Sequence, residues 1–139
     1  MPHLTVEYSA NLETRTNIHA LIRTVHQAAL SSGLFAVAAV RTRAERRDLY
    51  AIADEHPENA FVAIAIRIAS GRTHEQRERL GDEVLTAAGQ YLDRDGPHER
   101  LALSVEIEEI VDIGARRRNA LHALPMGKAT PSAAKPEAP

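Results

Sequence analysis

Apolar and polar residues alternate from the start of the chain. Leu4, Val6 and Tyr8 fall on one face of an extended segment and Thr5 and Glu7 on the other, the period of two that marks a β-strand. After a polar turn at residues 9–11 the period changes. Ile18, Leu21, Ile22, Val25 and Ala29 recur at the spacing of one helix face, with Thr14, Thr16 or Asn17 as the cap and Gly33 as the stop. Residues 34–40 are apolar and partly β-branched and run into Arg41, Thr42 and Arg43. That composition predicts a second strand with arginines at its C-terminal end.

The following stretch, residues 44–59, is less regular; it predicts a short strand at 49–53 and a turn at 55–59. Residues 61–69 are apolar at nearly every position and end at Ser70 and Gly71, as a central strand covered on both faces would be. Thr73 and Gln76 have the spacing of a capping box, and Leu80, Val84, Leu85, Ala88, Tyr91 and Leu92 form the apolar stripe of a second helix. Asp95, Gly96 and Pro97 close that helix. Leu101, Leu103, Val105 and Ile107 then alternate with Ala102, Ser104, Glu106 and Glu108, a strand with one more polar face.

Strand, amphipathic helix, strand thus occurs twice. The expected fold is α/β (α+β): duplicated β-α-β units forming one mixed sheet with two helices on one face. Little chain remains to cover the opposite sheet face except residues 111–124. An apolar face left open there predicts an oligomer in which neighbouring subunits supply the missing layer. The expected domain spans residues 1–126, and residues 127–139 form a Pro/Ala-rich tail without apolar periodicity, expected to be disordered.

Composition narrows the function classes. In 139 residues the formal net charge is -2, without the basic excess that phosphate binding needs, so nucleic acid is not an expected partner. No apolar run approaches the ~20 residues of a membrane span, and the start lacks a basic n-region and an apolar h-region. A cytoplasmic protein is expected. Cysteine is absent, which excludes disulfides and thiolate chemistry and fits a reducing compartment. Lys128 and Lys135 are the only lysines among the 17 basic residues, so arginine is the cation of this chain, able to clamp carboxylates through its planar fork.

The seven histidines form no HExxH pattern, and no metal is expected. His19 and His26 read as surface residues of the first helix, and Glu75, Glu78 and Arg79 as a solvated helix face. Arg77 reads as an exposed residue without a role. Neither a nucleophile elbow nor a phosphate-binding or dinucleotide-binding glycine pattern is present, so no cofactor is expected.

Pro2 stands out. A Met followed by a small residue favours methionine removal, which would leave a secondary amine at the start of a strand. An α-amino group titrates near ~7.7 to 8.0, and partial burial or nearby guanidinium groups lower this further, so a neutral base is available at physiological pH.

The opening Pro2, His3, Leu4, then Glu7 to Leu12, together with the duplicated unit, resembles the tautomerase superfamily. Within it the resemblance is closest to the 5-carboxymethyl-2-hydroxymuconate isomerases. It is carried further by Val40-Arg41-Thr42-Arg43, by Ala69-Ser70-Gly71-Arg72-Thr73, and by Leu103 to Glu109 with Asn119 to Leu124. Residues 44–54 depart from the family pattern, and the tail is additional. The resemblance implies a cofactor-free isomerase that shifts a proton in a 2-hydroxymuconate-type carboxylate, with Pro2 as acid and base. It implies that Arg41 and Arg72 hold the carboxylates of this small substrate and stabilise charge on the 2-oxygen, and that the assembly is a homotrimer. A sister enzyme on the same scaffold (another oxo-acid tautomerase, a decarboxylase or a dehalogenase) and a non-catalytic ligand-binding trimer remain as alternatives.

Overall fold

The computed structural model describes residues 1–123. The domain boundary expected at 126 and the tail at 127–139 lie outside the described residues. Four strands, β1 (His3–Ser9), β2 (Arg41–Arg47), β3 (Ala60–Ala69) and β4 (Leu101–Ile110), form one mixed sheet in the order β2-β1-β3-β4. Two helices, α1 (Ile18–Ser31) and α2 (His74–Leu92), make the crossovers. β1 pairs parallel with β2 and β3 pairs parallel with β4, while β1 and β3 run antiparallel at the centre. The duplicated β-α-β reading therefore holds.

Register shows why both helices lie on one side. Thr42, Leu4, Ile66 and Ile107 form one row across the sheet. His26 of α1 touches Thr42 at one end of that row, and Gly81 of α2 faces Ile107 at the other. Between them lie Leu21, Val25 and Ala29 of α1, Leu80, Val84 and Ala88 of α2, and the inward side chains Val6, Val62, Ile64 and Ile68, all buried. Burial of such apolar side chains contributes ~1.5–3 kcal/mol each, so this layer dominates stability.

The helix signals were local and correct. Asn17 caps α1, its side chain accepting the Ala20 N–H at 3.1 Å. The Thr73–Gln76 capping box is complete. Tyr8 donates to Glu13 at 2.5 Å, and burial together with this bond pushes its hydroxyl up to about 12, so it stays a protonated donor.

Four expectations are corrected. Residues 34–40 are not a strand: they pass through a 3-10 turn at Val37–Ala39, and β2 starts only at Arg41. The partner strand begins at His3, which pairs with Arg41, so no β1 backbone exists for residues 34–40 to pair with. Their apolar content packs Phe35 and Val40 into the core instead. Arg41 therefore opens a strand rather than ending one.

The strand expected at 49–53 is also absent. Leu49 is 95% exposed, and the loop is pinned by Asn59, whose amide donates to the Ile52 carbonyl at 2.9 Å and to Asp54 at 2.8 Å. Third, His26 is not a surface residue: it is half-buried, with Nδ1 2.9 Å from Thr42 Oγ1.

The fourth correction concerns the open sheet face. Its rows read Arg41, His3, Arg67, Glu108, then Arg43, Thr5, Ala65, Glu106, then Glu45, Glu7, Ala63, Ser104. That face is polar and charged, not apolar. β3 carries mostly alanines outward, so its nearly continuous apolar run came from small side chains rather than from burial on both sides.

Candidate active site

Strand direction decides which residues can meet. β1 and β2 start, and β3 and β4 end, at the same edge of the sheet. Pro2 immediately precedes β1 and is buried. Its carbonyl accepts the Arg41 N–H at 3.1 Å, which ties the start of β2 to the start of the chain. Arg72 follows β3 through the turn Ser70–Gly71, where Gly71 has φ +113°, a conformation that residues with a Cβ rarely adopt. All three expected site residues thus lie at one end of the sheet.

The two guanidinium groups engage opposite ends of one segment. Arg72 Nη2 donates to the Leu34 carbonyl at 3.0 Å, and its guanidinium lies 4.9 Å from the centre of the Phe35 ring, a favourable cation–π geometry. Arg41 Nη1 donates to the Ala39 carbonyl at 2.9 Å. Asn119, from the chain beyond β4, donates to the neighbouring Ala38 carbonyl at 2.9 Å. Residues 34–39 therefore form a wall that both arginines touch and that Asn119 steadies. In parallel β-α-β units ligands usually bind at the C-terminal ends of the strands; Arg72 fits that rule through β3, but Arg41 reaches the same end of the sheet from a strand N-terminus.

Beside Met1 lies a cavity of about 520 Å³ lined by His3, Arg67, Glu108, Glu109, Arg116 and Arg117 among others. Its lining does not include Pro2, Arg41 or Arg72. His3 is held below the ordinary histidine range by burial and by the cations Arg43, Arg67 and Arg41, and Arg43 Nη1 lies 3.2 Å from its Nδ1. The neutral ring thus accepts from Arg43. Arg67 was legible as the one charge within residues 61–69. Arg116 and Arg117 carried no periodic signal and were missed.

Arg77 was misread. Instead of standing free on α2, its Nη1 donates to the Arg72 carbonyl at 2.9 Å and pairs with Glu109 at 2.9 Å. A charged residue at one helical position says nothing about which carbonyl precedes the helix, so sequence periodicity carried no signal for this contact. Among the described residues no group of three or more His, Cys, Asp or Glu side chains is arranged to hold a metal ion, and no helix is long and apolar enough to cross a membrane.

Comparison with known proteins fits this architecture. The model of the 5-carboxymethyl-2-hydroxymuconate isomerase family matches residues 2–124. The 5-carboxymethyl-2-hydroxymuconate Delta-isomerase of Escherichia coli is 30% identical over 124 residues, covering 89% of this chain and 98% of that protein. The crystal structure of a 5-carboxymethyl-2-hydroxymuconate isomerase from Deinococcus radiodurans R1 is similar with a TM-score of 0.79 and 34% identity, over 88% of this chain and 92% of that one. The W0 fused 4-OT wild-type symmetric trimer shares the fold at a TM-score of 0.61, with 14% identity over 84% of this chain and 93% of that one. A match over nearly the whole described chain, with the mixed sheet and paired helices of its relatives, means that this chain belongs to the 5-carboxymethyl-2-hydroxymuconate isomerase family and is an isomerase of the tautomerase superfamily.

Proposed function

We propose that this chain isomerises 5-carboxymethyl-2-hydroxymuconate, or a closely related 2-hydroxymuconate carboxylate, without a cofactor, using Pro2 as acid and base after removal of Met1. The observation that carries this reading is the placement of Pro2, Arg41 and Arg72 at the same end of the sheet, with both guanidiniums on residues 34–39. It is supported by family membership over residues 2–124.

The chemistry is a proton shift that balances internally. The free secondary amine of Pro2 takes the proton of the 2-hydroxyl group; the O–H electrons form the 2-oxo group and the enol double bond moves along the diene. A distal carbon then receives the proton from the prolinium, which restores the base. No electron acceptor is needed. A buried amine near guanidinium groups disfavours its charged form and stays a competent base near neutral pH.

Arg41 and Arg72 hold substrate carboxylates and stabilise the negative charge that grows on the 2-oxygen, a task suited to rigid, charged donors. Each currently donates to a main-chain carbonyl of residues 34–39, which fixes its orientation while leaving other guanidinium N–H groups for a ligand. A homotrimer is proposed as the working assembly, by likeness of fold to the fused 4-OT trimer, with the exposed sheet edges at subunit boundaries.

The test is an ultraviolet assay with 5-carboxymethyl-2-hydroxymuconate as substrate, run together with intact mass analysis. Conversion by protein that lacks Met1, and its loss in Pro2→Ala with little change in substrate affinity, are expected. Full activity in protein that retains Met1 on every chain would overturn the proline mechanism.

A further inference from the structure

Arg77 of α2 reaches back to the main chain of Arg72. The turn from β3 into α2 runs Ser70, Gly71, Arg72, and Thr73 is the N-cap of α2. Helix capping uses Thr73 three times: its carbonyl accepts the Arg77 N–H at 3.1 Å, its hydroxyl accepts the Gln76 N–H at 3.1 Å and its own N–H donates to Gln76 Oε1 at 2.9 Å. The Arg72 carbonyl, one residue earlier, has no place in that pattern. It is met by Arg77 Nη1 at 2.9 Å, the side chain reaching back five residues past the N-cap.

The same nitrogen bonds Glu109 of β4 at 2.9 Å, and Glu109 precedes Ile110, which pairs with Ala69 at the end of β3. One guanidinium thus joins the turn, the first turns of α2 and the end of β4. Gly71 at φ +113° allows the turn to form but does not by itself choose where Arg72 sits, because a glycine peptide is free to pivot. The Arg72 side chain then reaches the Leu34 carbonyl and the Phe35 ring from a backbone whose carbonyl is held by this contact.

We propose that Arg77, paired with Glu109, is a positioning residue: it fixes the Arg72 backbone so that the Arg72 guanidinium is held ready for the substrate carboxylate. This rests on the assignment of Arg72 to the site. Misplacing a binding group by about 1 Å can cost on the order of 10²-fold in rate, so a side chain that touches no substrate can still carry a large kinetic effect.

The experiment is a double-mutant cycle on the full chain with the same isomerase assay: wild type, Arg72→Ala, Arg77→Met, the double variant and Arg77→Lys, each with a melting temperature. Arg77→Met keeps the aliphatic stem and removes the donors. It should lower kcat/KM by roughly 10- to 100-fold, in the same parameter, kcat or KM, that Arg72→Ala affects. Arg77→Lys should recover part of the loss. In the Arg72→Ala background the same change should cost less than about twofold, because there is no longer a guanidinium to position.

A silent Arg77→Met beside a damaging Arg72→Ala would overturn the proposal and leave the site assignment standing. An equal loss in both backgrounds, or a loss that follows the melting temperature across the variants, would overturn it in favour of general support of the fold. If Arg72→Ala is itself silent, the site assignment fails and this proposal falls with it; that arm is read independently of Arg77.

Discussion

At the scale of single residues, the arginines fall into two groups distinguished by what their guanidiniums meet. Arg41 and Arg72 each bond a main-chain carbonyl of the segment before β2, whereas Arg46 and Arg47 are paired with Glu13, Asp48, Glu7 and Glu45 on the surface. Exposed pairs of the second kind are screened by solvent and contribute little to stability. Replacing Arg41 or Arg72 with alanine should therefore reduce kcat/KM on the order of 10²-fold, and lysine should restore only part of it, lacking the bidentate fork. Arg23, exposed on α1, is the control, and Arg23→Ala should leave turnover unchanged in the same assay.

His26 makes a different prediction. Burial lowers its pKa below the ordinary 6.5, so the unfolded chain binds the proton more readily than the folded one. Stability from this residue is present above about 6.5 and is lost as pH falls through that value toward the depressed folded pKa. Urea unfolding between pH 7.5 and pH 5 should show stability falling, with His3 contributing in the same direction. His26→Gln should flatten part of that slope; an unchanged slope would show that the ring is not the titrating group.

At the scale of elements, what matters is how each strand or helix begins and ends. β3 hands over to α2 through Gly71, whose conformation is strained for any side chain even though nothing lies within 4 Å of an added Cβ. Gly71→Ala should destabilise by about 1–3 kcal/mol through backbone strain alone, measured by chemical denaturation, and should lower activity more than Thr73→Ala, which removes a cap worth about 1 kcal/mol but leaves the turn. The helices were legible because their signals are local: Asn17, Thr73 and Gln76 cap through atoms three residues away. The start of β2 was not, because a strand needs a partner and the partner's first residue, His3, lies far away in sequence.

At the scale of the whole molecule, the open sheet face is a field of arginine and glutamate rather than the apolar surface that would itself force association. The sheet itself offers an assembly its edge strands β2 and β4 and complementary charges on this face. Light scattering of the full chain at micromolar concentration should give the mass of three chains. A stable monomer that turns over substrate would remove the subunit boundary from the site.

The sequence by itself determined the period-two and period-3.6 segments, the caps, the β-α-β duplication and the family likeness that singled out Pro2, Arg41 and Arg72. Each of these rests on residues a few positions apart or on motifs in order along the chain. Tertiary structure alone decided that β1 and β3 run antiparallel, which brings a strand start and a strand end together and so places Pro2, Arg41 and Arg72 at one end of the sheet. It also decided that the outward face is charged, that His26 lies against Thr42, and that Arg77 joins Arg72 to Glu109. Those contacts span up to 64 residues of sequence, from His3 to Arg67, and pairing over such distances is set by strand order and register, which no local pattern of apolar and polar positions encodes.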